Sequence, residues 1–201
     1  MTPSSLDNPT RRHCLLAVAL GSAALVAGCG GGPAPVTFDL TAPRLGLRRS
    51  GGRQVIIVSE PTAVFALDSE RIMVRSRTGE ITYLPRAQWS DRLPRLVQTR
   101  IVQTFENAGR TAVARPGDRL NGAFQLVLDM RAFEIREASR EAVVEIAAKL
   151  ANAGSGSIRT ARLFTAASPV GTIDGPGASA ALDQALATVL SDLSGWAAAV
   201  A

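Results

Sequence analysis

The sequence predicts an α+β domain in which two helices pack on one face of a mixed, mainly antiparallel sheet. Three observations carry this: short β-rich runs open the chain's middle, an amphipathic helix interrupts them, and a further set of extended segments ends in a second helix. Each helix has one apolar stripe, and a stripe of that width needs a sheet to cover it.

In chain order, Val55–Val58 is a four-residue apolar run stopped by Ser59-Glu60-Pro61, as in a buried strand. Thr62–Arg71 reads as loop or short turn. Ile72–Arg77 and Glu80–Leu84 flank Thr78-Gly79 and form a hairpin. From Asp91 to Ala108, Leu93, Leu96, Val97, Ile101, Phe105 and Ala108 recur at helical spacing. Ser90 is placed to cap this helix, Pro94 falls in its first turn and Gly109 closes it, while Arg95, Gln98, Arg100, Gln103 and Glu106 form its polar face. Next come Gly122–Arg136, with strict alternation through Phe124, Leu126, Leu128 and Met130, then Ala142–Asn152 and Ser157–Ala166. Ala142–Leu150 suits a helix by propensity, but Val143, Val144 and Ile146 are β-branched and both neighbours are extended, so a strand is expected. After the Pro/Gly break at 168–177, Ala178–Val200 is the last helix, its stripe running through Leu182, Leu186, Val189, Leu190, Leu193 and Trp196.

The N-terminus reads as a targeting segment rather than as fold. Arg11 and Arg12 precede the apolar run Leu15–Val26, and small residues Ala27 and Gly28 precede Cys29. The 15 uncharged residues from Cys14 to Gly28 fall short of the roughly 20 that a helix needs to cross a bilayer. Leu25-Val26-Ala27-Gly28-Cys29 resembles the lipobox of bacterial lipoproteins, which implies diacylglycerol on the Cys29 thiol and removal of residues 1–28. Two or three acyl chains, at roughly 0.8 kcal/mol per buried CH₂, would hold the mature chain on its membrane. Residues 29–36 are then a lipidated cysteine with a Gly/Pro-rich tether, and 37–201, about 165 residues, are enough for one domain. The absence of Asp after Cys29 resembles lipoproteins sorted to the outer membrane, facing the periplasm.

Processing also limits the chemistry. His13 and Cys14 leave with the signal, so the mature domain holds no His and no free thiol. A Ser-His-Asp triad, a Cys nucleophile, a His-ligated metal or a redox Cys pair has no residues to use, and neither a cofactor nor a metal is expected. Taking Arg11, Arg12 and Asp7 from the 22 basic and 17 acidic residues leaves 20 and 16, a net charge of +4. The basic residues are scattered arginines, with Lys149 the single lysine, and they do not form the patterned surface that nucleic acid requires. Glu134, Glu137, Glu141 and Glu145, with Arg136 and Arg140, read as a solvated charged turn rather than as a pair of catalytic carboxylates.

The order of features resembles the ABC-type transport auxiliary lipoproteins, the group that contains paraquat-inducible protein C and the auxiliary lipoproteins of MCE-type lipid transporters. The residues that carry the likeness are Arg71-Ile72-Met73-Val74-Arg75, Gln88-Trp89-Ser90-Asp91-Arg92-Leu93-Pro94 leading into Leu96–Gly109, and Arg162-Leu163-Phe164 followed by the helix with Ala185-Leu186 and Trp196. The likeness covers nearly the whole mature chain and rests on order and spacing. It departs in the loop Pro61–Glu70, where many members have a proline and tyrosine pattern and this chain has Thr62-Ala63-Val64-Phe65-Ala66-Leu67-Asp68.

The resemblance implies a non-enzymatic subunit that assists an MCE protein, an ABC permease and an ATPase in moving phospholipid or sterol between envelope membranes. The chain has no Gly-rich loop followed by Lys and Ser/Thr, so the ATPase is another chain. Ring-like self-association would suit such a role, although nothing in the sequence specifies it. The alternative is an outer-membrane assembly or structural lipoprotein. Candidate contact residues are Arg71 and Arg75, which share a strand face and meet either solvent or an acidic surface; Trp89, which packs beside the helix or touches a partner; and Phe65, which fills the core or marks a binding loop.

Overall fold

The computed structural model describes residues 33–46, 54–109 and 112–200. The expected signal, Cys29 and residues 30–32 of the tether lie outside the described residues. Pro35–Ala201 is a compact unit by itself. It contains one continuous apolar core to which the sheet and both helices contribute, the feature that allows a unit to fold alone in principle.

The strands are β1 (Val36–Phe38), β2 (Ile56–Val58), β3 (Thr62–Ala63), β4 (Arg71–Arg75), β5 (Ile81–Trp89), β6 (Val113–Ala114), β7 (Phe124–Arg136), β8 (Glu141–Asn152) and β9 (Ile158–Pro169); the helices are α1 (Leu93–Asn107) and α2 (Gly175–Val200). All nine strands join one mixed sheet, and the α+β architecture is as the sequence predicts. The segment 142–150 is strand, paired on both sides.

β7 is the spine. One edge pairs antiparallel with β8 over nearly its full length, and β8 pairs in the same way with β9. Along the other edge β2, β3 and β4 lie in succession, all parallel to β7, so the segment from Ile56 to Arg75 runs beside it as one interrupted strand. Pro61, with no N–H to give to a ladder, falls at the first interruption. β5 returns antiparallel to β4, and β1 adds parallel to the end of β5 at Ala87–Trp89. The β4–β5 turn is closed by the Gly79 N–H on the Ser76 carbonyl, at 3.1 Å, and Gly79 adopts φ 90°, the left-handed conformation that the turn needs.

β7 shows how the sheet keeps its core face. Phe124, Leu126, Leu128 and Met130 are buried in alternation with exposed Gln125, Val127, Asp129 and Arg131. A bulge between Met130 and Ala132 inserts one residue and shifts the phase. Phe133 and Ile135 then take the core side, and Glu134 points to the face it shares with Arg75 and Arg136.

Both helices begin elsewhere than the pattern suggests. α1 starts at Leu93, with Arg92 as its N-cap residue and no side-chain cap; the Ser90 hydroxyl donates instead to Asp39 at 3.0 Å. β5 runs on to Trp89, whose ring is 1% exposed and meets Phe133 edge to face at 5.8 Å. Gln98, expected on the polar face, is buried and donates to the Val58 carbonyl at 2.9 Å, joining α1 to β2. α2 starts at Gly175, three residues early, with the Gly177 N–H on the Asp174 carboxylate at 2.8 Å. A Cβ on Gly177 would lie 2.3 Å from the Thr172 carbonyl, so the glycine is a packing requirement rather than a break.

Candidate functional site

Two surface features stand out from this frame. The first is the β3–β4 connection. Residues 64–70 leave the sheet edge because Leu67 must reach the core, where it is 2% exposed. The Leu67 and Asp68 N–H groups both bond to the Val64 carbonyl, at 2.9 and 3.1 Å, and tighten the segment into a turn. Tyr83 donates its hydroxyl to the Ala66 carbonyl at 3.3 Å. Arg92 clamps the far side through Asp68, and reaches Glu60 at 3.3 Å. This network holds Arg92 protonated above its ordinary range, with the Asp68 hydrogen bond the leading cause.

The product of these four attachments is a fixed turn with Val64 and Phe65 at its tip. Phe65 is 89% exposed, more than any other large apolar side chain among the described residues. An aromatic held outward on a rigid turn loses little conformational freedom when it binds, which is the property of an interface anchor. Arg71 extends the feature, its guanidinium 3.6 Å above the Tyr83 ring and without an acidic partner among the described residues.

The other sequence candidates fall differently. Arg75 is committed internally: its Nη2 donates to Glu134 at 2.7 Å, and Arg136 donates to the same carboxylate at 3.0 Å. Burial pushes the Glu134 carboxyl up, but the hydrogen bonds from Arg75 and then Arg136 outweigh it and hold the group below its ordinary value. Glu134 therefore does not belong to a solvated turn; the β7 bulge turns it off the core face and onto the one that Arg75 and Arg136 share, and strand alternation alone gives no sign of a bulge. Of the two readings of Trp89, packing and partner contact, only packing fits, because a ring 1% exposed has no surface to offer.

The second feature was not legible in the sequence. The segment after β1 is stitched to both helices: Asp39 accepts from Arg100 at 2.6 Å, Thr41 donates to Asp183 at 2.6 Å and Asn107 donates to the Pro43 carbonyl at 3.2 Å. It thus roofs a cavity of about 480 Å³ between the C-terminal ends of α1 and α2 and β9. Its lining mixes Leu45, Gly46, Phe105, Ala108 and Trp196 with Arg162, Ser191, Asp192 and Ser194. No signal short of the tertiary contacts brings positions 45, 105, 162 and 196 together. Among the described residues no group of three or more His, Cys, Asp or Glu is placed to hold a metal ion. Nor is any described helix long and apolar enough to cross a membrane.

The model of the ABC-type transport auxiliary lipoprotein component family matches residues 38–194, from the end of β1 to near the end of α2. The chain belongs to this family. The matched span holds the Phe65 tip and most of the cavity lining, short of Gly195, Trp196 and Ala198. An uncharacterized protein of Bradyrhizobium diazoefficiens is 30% identical over 174 residues, 83% of this chain, and the chain spans only 46% of that relative's length. The crystal structure of a Xanthomonas campestris protein, 29% identical, superposes with a TM-score of 0.69 and covers 83% of this chain and 94% of its own. A second crystal structure, of an uncharacterized protein 11% identical, reaches 0.65 over 82% of this chain and 99% of its own and shows the same fold. Membership of the auxiliary lipoprotein family associates the chain with ABC-type transport and with the cell envelope.

Proposed function

We propose that this chain is a non-enzymatic subunit, anchored by lipid on Cys29 to the periplasmic face of the outer membrane, that assists an MCE-type ABC system in moving phospholipid or sterol between envelope membranes. It docks onto the MCE component through the β3–β4 tip, with Phe65 entering an apolar pocket and Arg71 meeting acidic groups at its rim. The observation that carries the docking role is the nearly full exposure of Phe65 on a turn held from four sides. Family membership supports the transport context. Arg75 supports the same surface indirectly, by fixing the strand that bears Arg71.

The decisive experiment is affinity purification of the tagged, lipidated chain from its native envelope. The MCE, permease and ATPase subunits should copurify with the wild type and be lost with Phe65→Ser or Arg71→Glu. A deletion strain should lose its outer-membrane permeability barrier and regain it with the wild-type gene only. An intact barrier in the deletion strain, or unchanged copurification with both variants, overturns the reading.

A further inference from the structure

The cavity roofed by the post-β1 segment has an arrangement of charge that the docking role does not use. Arg162 and Asp192 both line it, and no ion pair joins them to each other or to any other described residue. Arg162 has only the face of Phe164 beneath it, with its guanidinium 5.1 Å from the ring centroid. Both charged residues are exposed at the rim. Deeper, Ser194 is 4% exposed and lines the cavity without a hydrogen-bond partner among the described residues, and Phe105 is 1% exposed. Trp196, half-buried, forms one wall and is braced edge to face by Phe164 at 5.6 Å.

From this we infer that the cavity is a binding site for one chain of a zwitterionic amphiphile, its acidic group on Arg162 and Ser194, its ammonium on Asp192, and its hydrocarbon against Phe105 and Trp196. The charges choose the class. A neutral apolar ligand strips water from the two rim charges and from the Ser194 hydroxyl without replacing it. A simple anion meets Asp192 and a simple cation meets Arg162, each a like-charge contact. A head with both charges satisfies the two together, and the aromatic walls below accept the chain. The volume of about 480 Å³ falls within the roughly 300–1,000 Å³ of small-molecule sites. Neither Phe65 nor Arg71 takes part, so this site stands or falls independently of the docking reading.

The test uses the Pro35–Ala201 unit, which contains the whole core, and dodecylphosphocholine below its micellar concentration. Of the two tryptophans, Trp89 is buried, so a change in fluorescence reports Trp196. Saturable binding is expected, about tenfold or more tighter than that of dodecyl maltoside or of dodecanoate. Arg162→Gln and Asp192→Asn should each weaken it by about tenfold, and Ala198→Phe, which fills the cavity, should abolish it, all with unchanged thermal midpoints. Equal binding of dodecyl maltoside, tighter binding of dodecanoate, or wild-type affinity in both charge variants overturns the assignment.

Discussion

Glu134 is nearly buried yet stays ionised because two arginines reach it, and its balance of burial against hydrogen bonding makes it a sensor of acid. A carboxyl whose folded-state pKa lies below its unfolded value binds fewer protons when folded. Its stabilising contribution is therefore complete above the ordinary value of 4.5 and is lost as pH falls through the lower folded-state value. Glu134→Gln should cost about 2 kcal/mol at neutral pH, a figure kept modest because Arg75 is partly solvated. Urea unfolding from pH 7 to pH 3 should show a shallower acid loss in the variant than in the wild type; parallel curves would remove Glu134 from the acid response. Phe65 is the opposite case. Its side chain touches little of its own protein, so Phe65→Ser should leave stability within about 0.5 kcal/mol of wild type while docking is lost. Trp89→Ala, by contrast, empties a packed site against Phe133 and should cost about 3–5 kcal/mol in the same measurement.

Among the elements, β7 carries the most consequence, because every other part of the sheet is referred to it directly or through one or two strands. Its bulge at Arg131 is what keeps Phe133 and Ile135 in the core after Met130. Deleting Arg131 removes the extra residue and leaves Met130, Phe133 and Ile135 on the core face in strict alternation, with Ala132 and Glu134 on the other face. The deletion should therefore still fold and melt cooperatively, as should Arg131→Ala, which keeps the extra residue; circular dichroism melts of the two compare them directly. Loss of folded protein in the deletion alone would mean that the bend at the bulge, and not only the phase it sets, is needed by the sheet. The same dependence on neighbours explains why the start of α1 eluded the pattern. Ser90 has a good capping side chain, but Asp39, already serving Arg100 and the Leu40 amide, captures its hydroxyl and leaves the helix to begin at Pro94's turn.

At the scale of the molecule, helices cover one face of the sheet and connections from the sheet edges carry the surface chemistry. The Phe65 tip and the roofed cavity belong to one unit with one core. The proposed lipid anchor on Cys29 falls outside the residues of that core. Cys29→Ser should abolish radiolabelled palmitate incorporation and shift the protein from the membrane fraction to the soluble periplasm, with the melting curve of the domain unchanged; continued labelling of the variant would place the lipid elsewhere.

What the residues determined alone was whatever depends on period and local chemistry. Alternation through Phe124–Met130 marked a strand, the spacing from Leu93 to Phe105 marked a helix, Thr78-Gly79 marked a hairpin, and the family likeness followed from their order. Folding in three dimensions decided whatever depends on two distant segments competing for one partner. It placed β2, β3 and β4 along β7, gave Glu134 its arginines, took Trp89 into the core and closed a cavity from positions as far apart as Leu45 and Trp196. The physical reason is that a side chain's own type sets its local preference, but burial, pairing and exposure are properties of the contacts it ends with, and those belong to no single stretch of chain.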